Sequence, residues 1–225
     1  MLYVYALADR VGDISDLKGV RGESLVLLHV ADLVVVAGEM DGTPALSAAT
    51  LHAQDALIRT LHARAAALLP MQFGTTQPGE GDLVRLLERR DDLGSKLEKV
   101  CGCDQMTVRV LAATQQERGT MMPERQDAQA PNDGDELPGT RYLAARRRGA
   151  AAAPPLLQGI AEAAATLSRD VRIEPAQLGG VAGTIYHLIE RGRADEYRRV
   201  IERAAAAVSG VRVVISGPSP PYAFA

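Results

Sequence analysis

The chain has 225 residues, of which 47% are hydrophobic and 24% charged, and a formal net charge of −3. That length suits one large or two small domains whose core needs no staples, and the mild negative charge argues against a dedicated nucleic-acid binder. The most hydrophobic stretch, Leu25 to Ala37, contains His29 and Asp32, so it is unsuited to span a bilayer, and Met1-Leu2-Tyr3-Val4-Tyr5 lacks the basic region of a secretory signal; a cytoplasmic protein is expected.

Residues 2–7 read as a short strand, and 24–30 with 33–38 as a hairpin turning near Ala31-Asp32. The hairpin is rich in Val and Leu with little polar alternation, so its sheet should be covered on one face or both. A long helix is predicted from Pro44 to Leu69, with Thr43 as cap and Pro70 as its stop. Leu46, Ala53, Leu57, Leu61 and Leu68 form its apolar stripe; His52, Asp55, Arg59 and His62 form a polar one. Residues 71–76 look extended. A second amphipathic helix is predicted over Asp82–Val100, with acids at its start and lysines at its end, as the helix dipole favours. A strand over Asp104–Ala113 carries Met106, Val108 and Val110 on one face. The order β-ββ-α-β-α-β reads as an α+β domain over 1–113, a ferredoxin-like variant.

Residues 114–138 are polar, carry Pro123, Pro131 and Pro138, and lack apolar periodicity, so they read as a linker or flexible loop. A second, smaller α+β domain is expected over 139–225. Thr140 to Arg169 is Ala-rich and mostly helical, with Pro154-Pro155 breaking or kinking it. Short strands at 171–174 and 182–188 follow, then a helix over Ala194–Val208 and a last strand at 211–216.

Motifs for chemistry are sparse. Cys101 and Cys103 are the only cysteines, too few for a metal site, and the four histidines lack ligand-like spacing to them. Gly79-Glu80-Gly81-Asp82 precedes a helix but is acidic and lacks the phosphate-binding lysine, and no Gly-x-Ser-x-Gly elbow occurs. The stripe His52/Asp55/Arg59/His62 could support acid-base work or simply face water, and Arg146-Arg147-Arg148 could meet an acidic partner or face water.

Large rings are scarce: two Phe, six Tyr and no Trp. One Phe sits in Leu68-Leu69-Pro70-Met71-Gln72-Phe73-Gly74-Thr75 and the other in Gly217-Pro218-Ser219-Pro220-Pro221-Tyr222-Ala223-Phe224-Ala225. The prolines keep the tail from extending the last strand as a central one and favour a stiff polyproline-like form. Tyr222 and Phe224 are then anchors, and full burial of Phe224 would contribute roughly 2–3 kcal/mol. The tail either packs back on its own domain or docks on a partner. Phe73 is either core or contact surface.

These two segments resemble the GvpF/GvpL family of gas vesicle proteins, as do Tyr3-Val4-Tyr5, His52-Ala53-Gln54-Asp55-Ala56-Leu57, the Leu86/Leu97 helix running into Val108-Arg109-Val110, Tyr142-Leu143 and the Tyr197 helix. Gln72 stands where the family often has Arg, Ser219 where it often has Trp, and Pro154-Pro155 interrupts an expected helix. The resemblance implies two α+β domains, the first ferredoxin-like. It also implies a non-enzymatic accessory protein, a minor vesicle component that binds the small hydrophobic shell protein and prevents its aggregation at nucleation. The expected partners are that shell protein and other gas vesicle accessory proteins, with no cofactor, metal, nucleic acid or membrane. The expected contact residues are Leu27, Val34, Val36, Phe73, Tyr222 and Phe224. Two alternatives stay open: an enzyme on a ferredoxin-like scaffold using His52 or His62 as base, and a ligand-sensing regulatory module.

Overall fold

The computed structural model describes residues 1–112, 154–176 and 181–225. The expected linker at 114–138 and the arginines at 146–148 lie outside the described residues. So do residues 140–153 of the predicted helix at 140–169.

The first sheet contains β1 (Leu2–Ala8), β2 (Leu25–Val30), β3 (Leu33–Glu39) and β4 (Leu68–Pro70) in the order β2-β3-β1-β4, with the short β5 (Thr76–Gln77) also on β1. All its pairings are antiparallel. Every residue of β1 is buried. Leu2, Val4 and Leu7 face one apolar cluster, while Tyr3, Tyr5, Ala6 and Ala8 face another. A register shift between Val4 and Ala6 resets the alternation midway. The sheet is thus covered on both faces: by α1 (Ala48–Arg64) on the tyrosine side, and by α2 (Glu80–Glu88) with α3 (Leu93–Val100) on the other.

In this half the first helix prediction ran long and the second ran across a break. Helix α1 starts at a capping box between Ser47 and Thr50, four residues beyond Pro44. It stops at Arg64, although Ala65-Ala66-Ala67-Leu68-Leu69 has good helical propensity. Leu68 and Leu69 instead pair with Ala8 and Leu7 of β1, because a buried strand edge needs its hydrogen bonds made. The predicted helix at 82–100 is two helices broken at Arg89-Arg90-Asp91-Asp92.

The strand predicted to close the first domain lies elsewhere. It is β6 (Cys103–Ala112), a central strand of the second sheet, pairing with β8 (Val181–Glu190) and β9 (Val211–Ser219). With β7 (Ser168–Pro175) the order is β7-β8-β6-β9, all antiparallel. The described helices here are α4 (Pro155–Ala163), between β6 and β7 in the chain, and α5 (Ala194–Ala206), between β8 and β9. This is the split β-α-β arrangement of a ferredoxin-like sheet. It occurs in the second sheet, whereas no helix separates β1 from β2 in the first. The apolar alternation of Met106, Val108 and Val110 marks a strand and its inner face but carries no information on which sheet receives it. Pro155 stands at the first turn of α4, where its missing N–H costs nothing.

Behind this sheet, His187 is fully buried. Its Nε2–H donates to the Ala161 carbonyl (3.2 Å), and its Nδ1 accepts from the Tyr197 hydroxyl (2.7 Å). Burial holds the imidazole pKa below its ordinary value of 6.5. The neutral ring is therefore the folded form. Its contribution to stability is complete above pH 6.5 and is lost as the pH falls, because the unfolded chain takes up the proton first. We expect stability to fall below that pH with a component of up to about 1.4 kcal/mol per unit, and His187→Phe to flatten it. Urea unfolding of both proteins between pH 7.5 and 5 measures the difference.

Candidate functional site

The sequence segments singled out above converge on one seam. Tyr3 of β1 donates its hydroxyl hydrogen to Gln54 Oε1 of α1 (2.6 Å) and accepts from the Gly74 amide (2.9 Å). Gln54 Nε2 donates to the Met71 carbonyl (3.2 Å). Gly74 has φ +87°, a conformation that favours glycine. The Phe73 ring meets Tyr3 edge-on, with centroids 6.2 Å apart. The Leu-Pro-x-x-Phe-Gly-Thr junction is therefore a strand end and tight turn, bolted to β1 and α1 by two buried or part-buried polar side chains.

The tail lands beside it. After β9, Pro220 and Pro221 are buried, and Tyr222–Phe224 form one 3-10 turn. Phe224 is 2% exposed, within the cluster that includes Leu2, Val4 and Leu7 of β1, Leu83 to Val100 of α2 and α3, and Leu188 of β8. The Ala223 amide donates to Gln105 Oε1 (2.7 Å). The Arg172 guanidinium donates to the Ala223 carbonyl and lies 5.6 Å from the Phe224 ring centroid. The Tyr222 hydroxyl donates to Asp55 Oδ1 (2.7 Å), and Arg59 donates to Asp55 Oδ2 (2.7 Å) and the Pro218 carbonyl (3.4 Å). Partial burial works against the Asp55 charge, but the hydrogen bonds from Arg59 and Tyr222 outweigh it and hold the carboxyl below its ordinary range.

The polar stripe of α1 is thus engaged within the fold at Asp55, Arg59 and His62. Asp55 and Arg59 clamp the tail. His62, 7% exposed, holds Asp104 of β6 through Nε2 (2.8 Å), while Arg191 donates to the His62 (3.0 Å) and Ala65 (2.9 Å) carbonyls. His52 and Arg59 are exposed, Asp55 is half-buried and His62 is buried. Gln54, Gln105, Arg172 and Arg191 were not singled out in the sequence; their partners lie 17 to 129 residues away, beyond any local pattern. Ser219, in the position where the resemblance suggests Trp, donates to the Gln105 carbonyl (3.2 Å), and Gln72 is exposed at the junction.

The six expected contact residues do not form one patch. Val34, Val36 and Phe224 are buried. Phe73 is half-buried, and Tyr222 is 40% exposed. Tyr222 lines a groove of about 620 Å³ with Leu69, Met71, Gln72, Leu86 and Arg90. Leu27 lies on β2, at the opposite edge of the sheet. There Leu25, Val26, Leu27 and Leu28 are all only half-buried, and no described strand pairs with the outer side of β2. A second groove, about 770 Å³, opens beside this edge and includes Val26, Leu28, Glu39, Met40, Asp41 and Glu80 in its lining. Among the described residues no group of three or more His, Cys, Asp or Glu could hold a metal ion; Cys101 is exposed and Cys103 buried.

Two substitutions measure the seam. Phe224→Ala should destabilise the chain by about 3–5 kcal/mol, through lost burial and the cavity left behind. Tyr3→Phe should cost about 1–3 kcal/mol by stranding Gln54 and the Gly74 amide. Urea or thermal unfolding reads both.

Residues 1–225 match the family described as Gas vesicle synthesis protein GvpL/GvpF. The chain is 29% identical over 170 residues to Gas vesicle protein F of Streptomyces sp. (strain CB03234), which spans 70% of each protein. Its fold is similar to the crystal structure of the gas vesicle protein GvpF from Anabaena sp. PCC7120, with a TM-score of 0.74 at 18% identity over 99% of this chain and 94% of that one. GvpF from Microcystis aeruginosa is also similar, with a TM-score of 0.72 at 15% identity over 99% of this chain and 98% of that one. The fully matched chain, its seam built from the residues that first suggested the resemblance, belongs to the GvpL/GvpF family of gas vesicle synthesis proteins.

Proposed function

We propose that this chain is a non-enzymatic accessory protein of gas vesicle assembly, a minor vesicle component that binds the small hydrophobic shell protein and keeps it from aggregating during nucleation. It would act in the cytoplasm, in association with the forming vesicle. A water-repelling subunit with free strand edges aggregates unless something covers it. The observation that carries the reading is β2. Edge strands are usually blunted by lysine, proline or a covering element. This one reads Leu-Val-Leu-Leu-His-Val, with its first four side chains half-exposed and no described strand beyond it. Such an edge suits a partner that is itself apolar and extended.

The other readings draw less support. His62 is only 7% exposed between Asp104 and Arg191, so it offers little surface to a substrate. Among the described residues no helix is long and apolar enough to cross a membrane.

Co-expression with the shell protein tests the proposal. The tagged chain should retain the shell protein on affinity capture and raise its soluble fraction. Leu27→Glu should reduce retention at least tenfold while the chain stays folded at the assay temperature, with an unfolding midpoint lowered because Leu27 packs against the apolar cluster on the α1 side. A wild-type chain that retains no shell protein and leaves its solubility unchanged refutes the reading.

A further inference from the structure

We infer that β2 receives its partner by strand addition, and that the added strand is apolar on both faces and ends in a basic residue at the Leu25 end. This inference rests on the shell-binding reading above and specifies the contact.

The two-sided requirement comes from the layers around β2. Leu25 and Leu27 point to the α1 side, where they pack against the same buried cluster as Val11, Leu17 and Val20 of the preceding loop. Val26 and Leu28 point to the α2–α3 side, where they line the 770 Å³ groove. An ordinary edge strand is apolar toward the core and polar toward water. A strand added beside β2 would find apolar neighbours on both faces, because the half-buried Leu25 and Leu27 lie on one face of β2 and the half-buried Val26 and Leu28 on the other. Its side chains therefore need not alternate. β2 offers six paired positions, Leu25 to Val30, which sets the length of the segment at about six residues.

The charge requirement comes from the mouth of the groove. Leu25 pairs with Gly38, and Glu39 follows at the end of β3, so the groove mouth lies at the Leu25 end of β2. Four carboxylates line it: Glu23, Glu39, Asp41 and Glu80. Glu23 is engaged by the Tyr5 hydroxyl and the Arg21 amide. Glu39, Asp41 and Glu80 are exposed. Arg21 is the one basic side chain in the lining, and the Met1 amino group there donates to the Met40 carbonyl (2.9 Å). A cation on the incoming strand is favoured at this mouth and an anion is disfavoured. Both sheets are wholly antiparallel, so antiparallel addition continues the established pairing. The residue beside Leu25 is then the last of the added strand. The occupant is an apolar segment of about six residues followed directly by Lys or Arg.

The test uses the full chain co-expressed with the shell protein. The variant Glu39→Lys/Asp41→Lys/Glu80→Lys changes only exposed positions; it should retain at least tenfold less shell protein than wild type while staying folded at the assay temperature, its unfolding midpoint lowered only by the loss of Glu80 from the first turn of α2. Amide hydrogen exchange over Leu25–Val30 should slow at least tenfold in the wild-type complex relative to the free chain. If wild type retains the shell protein, the triple variant retains as much and β2 amides exchange at the same rate in the complex, the shell protein sits elsewhere. The inference then falls while the shell-binding reading stands. If the β2 amides of the free chain are already protected in a concentration-dependent way, a second copy occupies the edge, and the inference falls. If wild type retains no shell protein, the functional reading fails first and takes this one with it.

Discussion

A single apolar cluster runs from Leu2 on the first strand to Phe224 at the end of the chain. It takes side chains from the first sheet, from α2 and α3, from β8 of the second sheet and from the tail. Neither sheet closes this space alone. Leu83, Leu87, Leu93 and Leu97 cover one face of the first sheet, while Phe224 and Leu188 bring in the second. Burial of this shared surface is the main favourable term that joins the two sheets. The polar contacts then fix their relative placement. His62 with Asp104, Arg191 with the α1 carbonyls and Tyr222 with Asp55 each join α1 to the second half of the molecule or to the strand that leads into it.

The same seam explains why the scarce aromatic residues lie where they do. Tyr3, Phe73, Tyr222 and Phe224 all meet it, and two of them use a hydroxyl as well as a ring. Burying a tyrosine hydroxyl is costly unless it is hydrogen-bonded. Tyr3 satisfies its own with both Gln54 and Gly74, and Tyr222 reaches Asp55. The ionisable groups Asp55, Arg59 and His62 of α1 all make contacts within the fold. A carboxylate that receives Arg59 and Tyr222, and a histidine flanked by Asp104 and Arg191, tie α1 to the second half of the molecule.

The two edges of the first sheet differ in kind. On the β4 side, the junction turn and the tail close the edge, and backbone groups such as the Met71 amide find partners on β1. On the β2 side the ladder stops at half-buried Leu and Val side chains. Rigidity at one edge and an open ladder at the other are complementary properties. A strand-adding surface works best on an element that does not itself move, because less ordering is needed on binding.

Local pattern was enough to determine most elements of this chain. The Val/Leu hairpin, the existence of a helix after it though not its ends, the alternation in β6 and the burial of Phe224 are all written in neighbouring residues, since side-chain periodicity acts locally. So is the mixed α+β class, with two antiparallel sheets. Tertiary structure alone decided three things. It turned Leu68-Leu69-Pro70 from a helix end into β4, because the edge of β1 needed a partner. It sent β6 to the second sheet, because alternation specifies a face and not a neighbour. And it made the polar stripe of α1 a clamp, because the groups that meet Asp55 and Arg59 lie up to 167 residues away, at a distance no local spacing encodes.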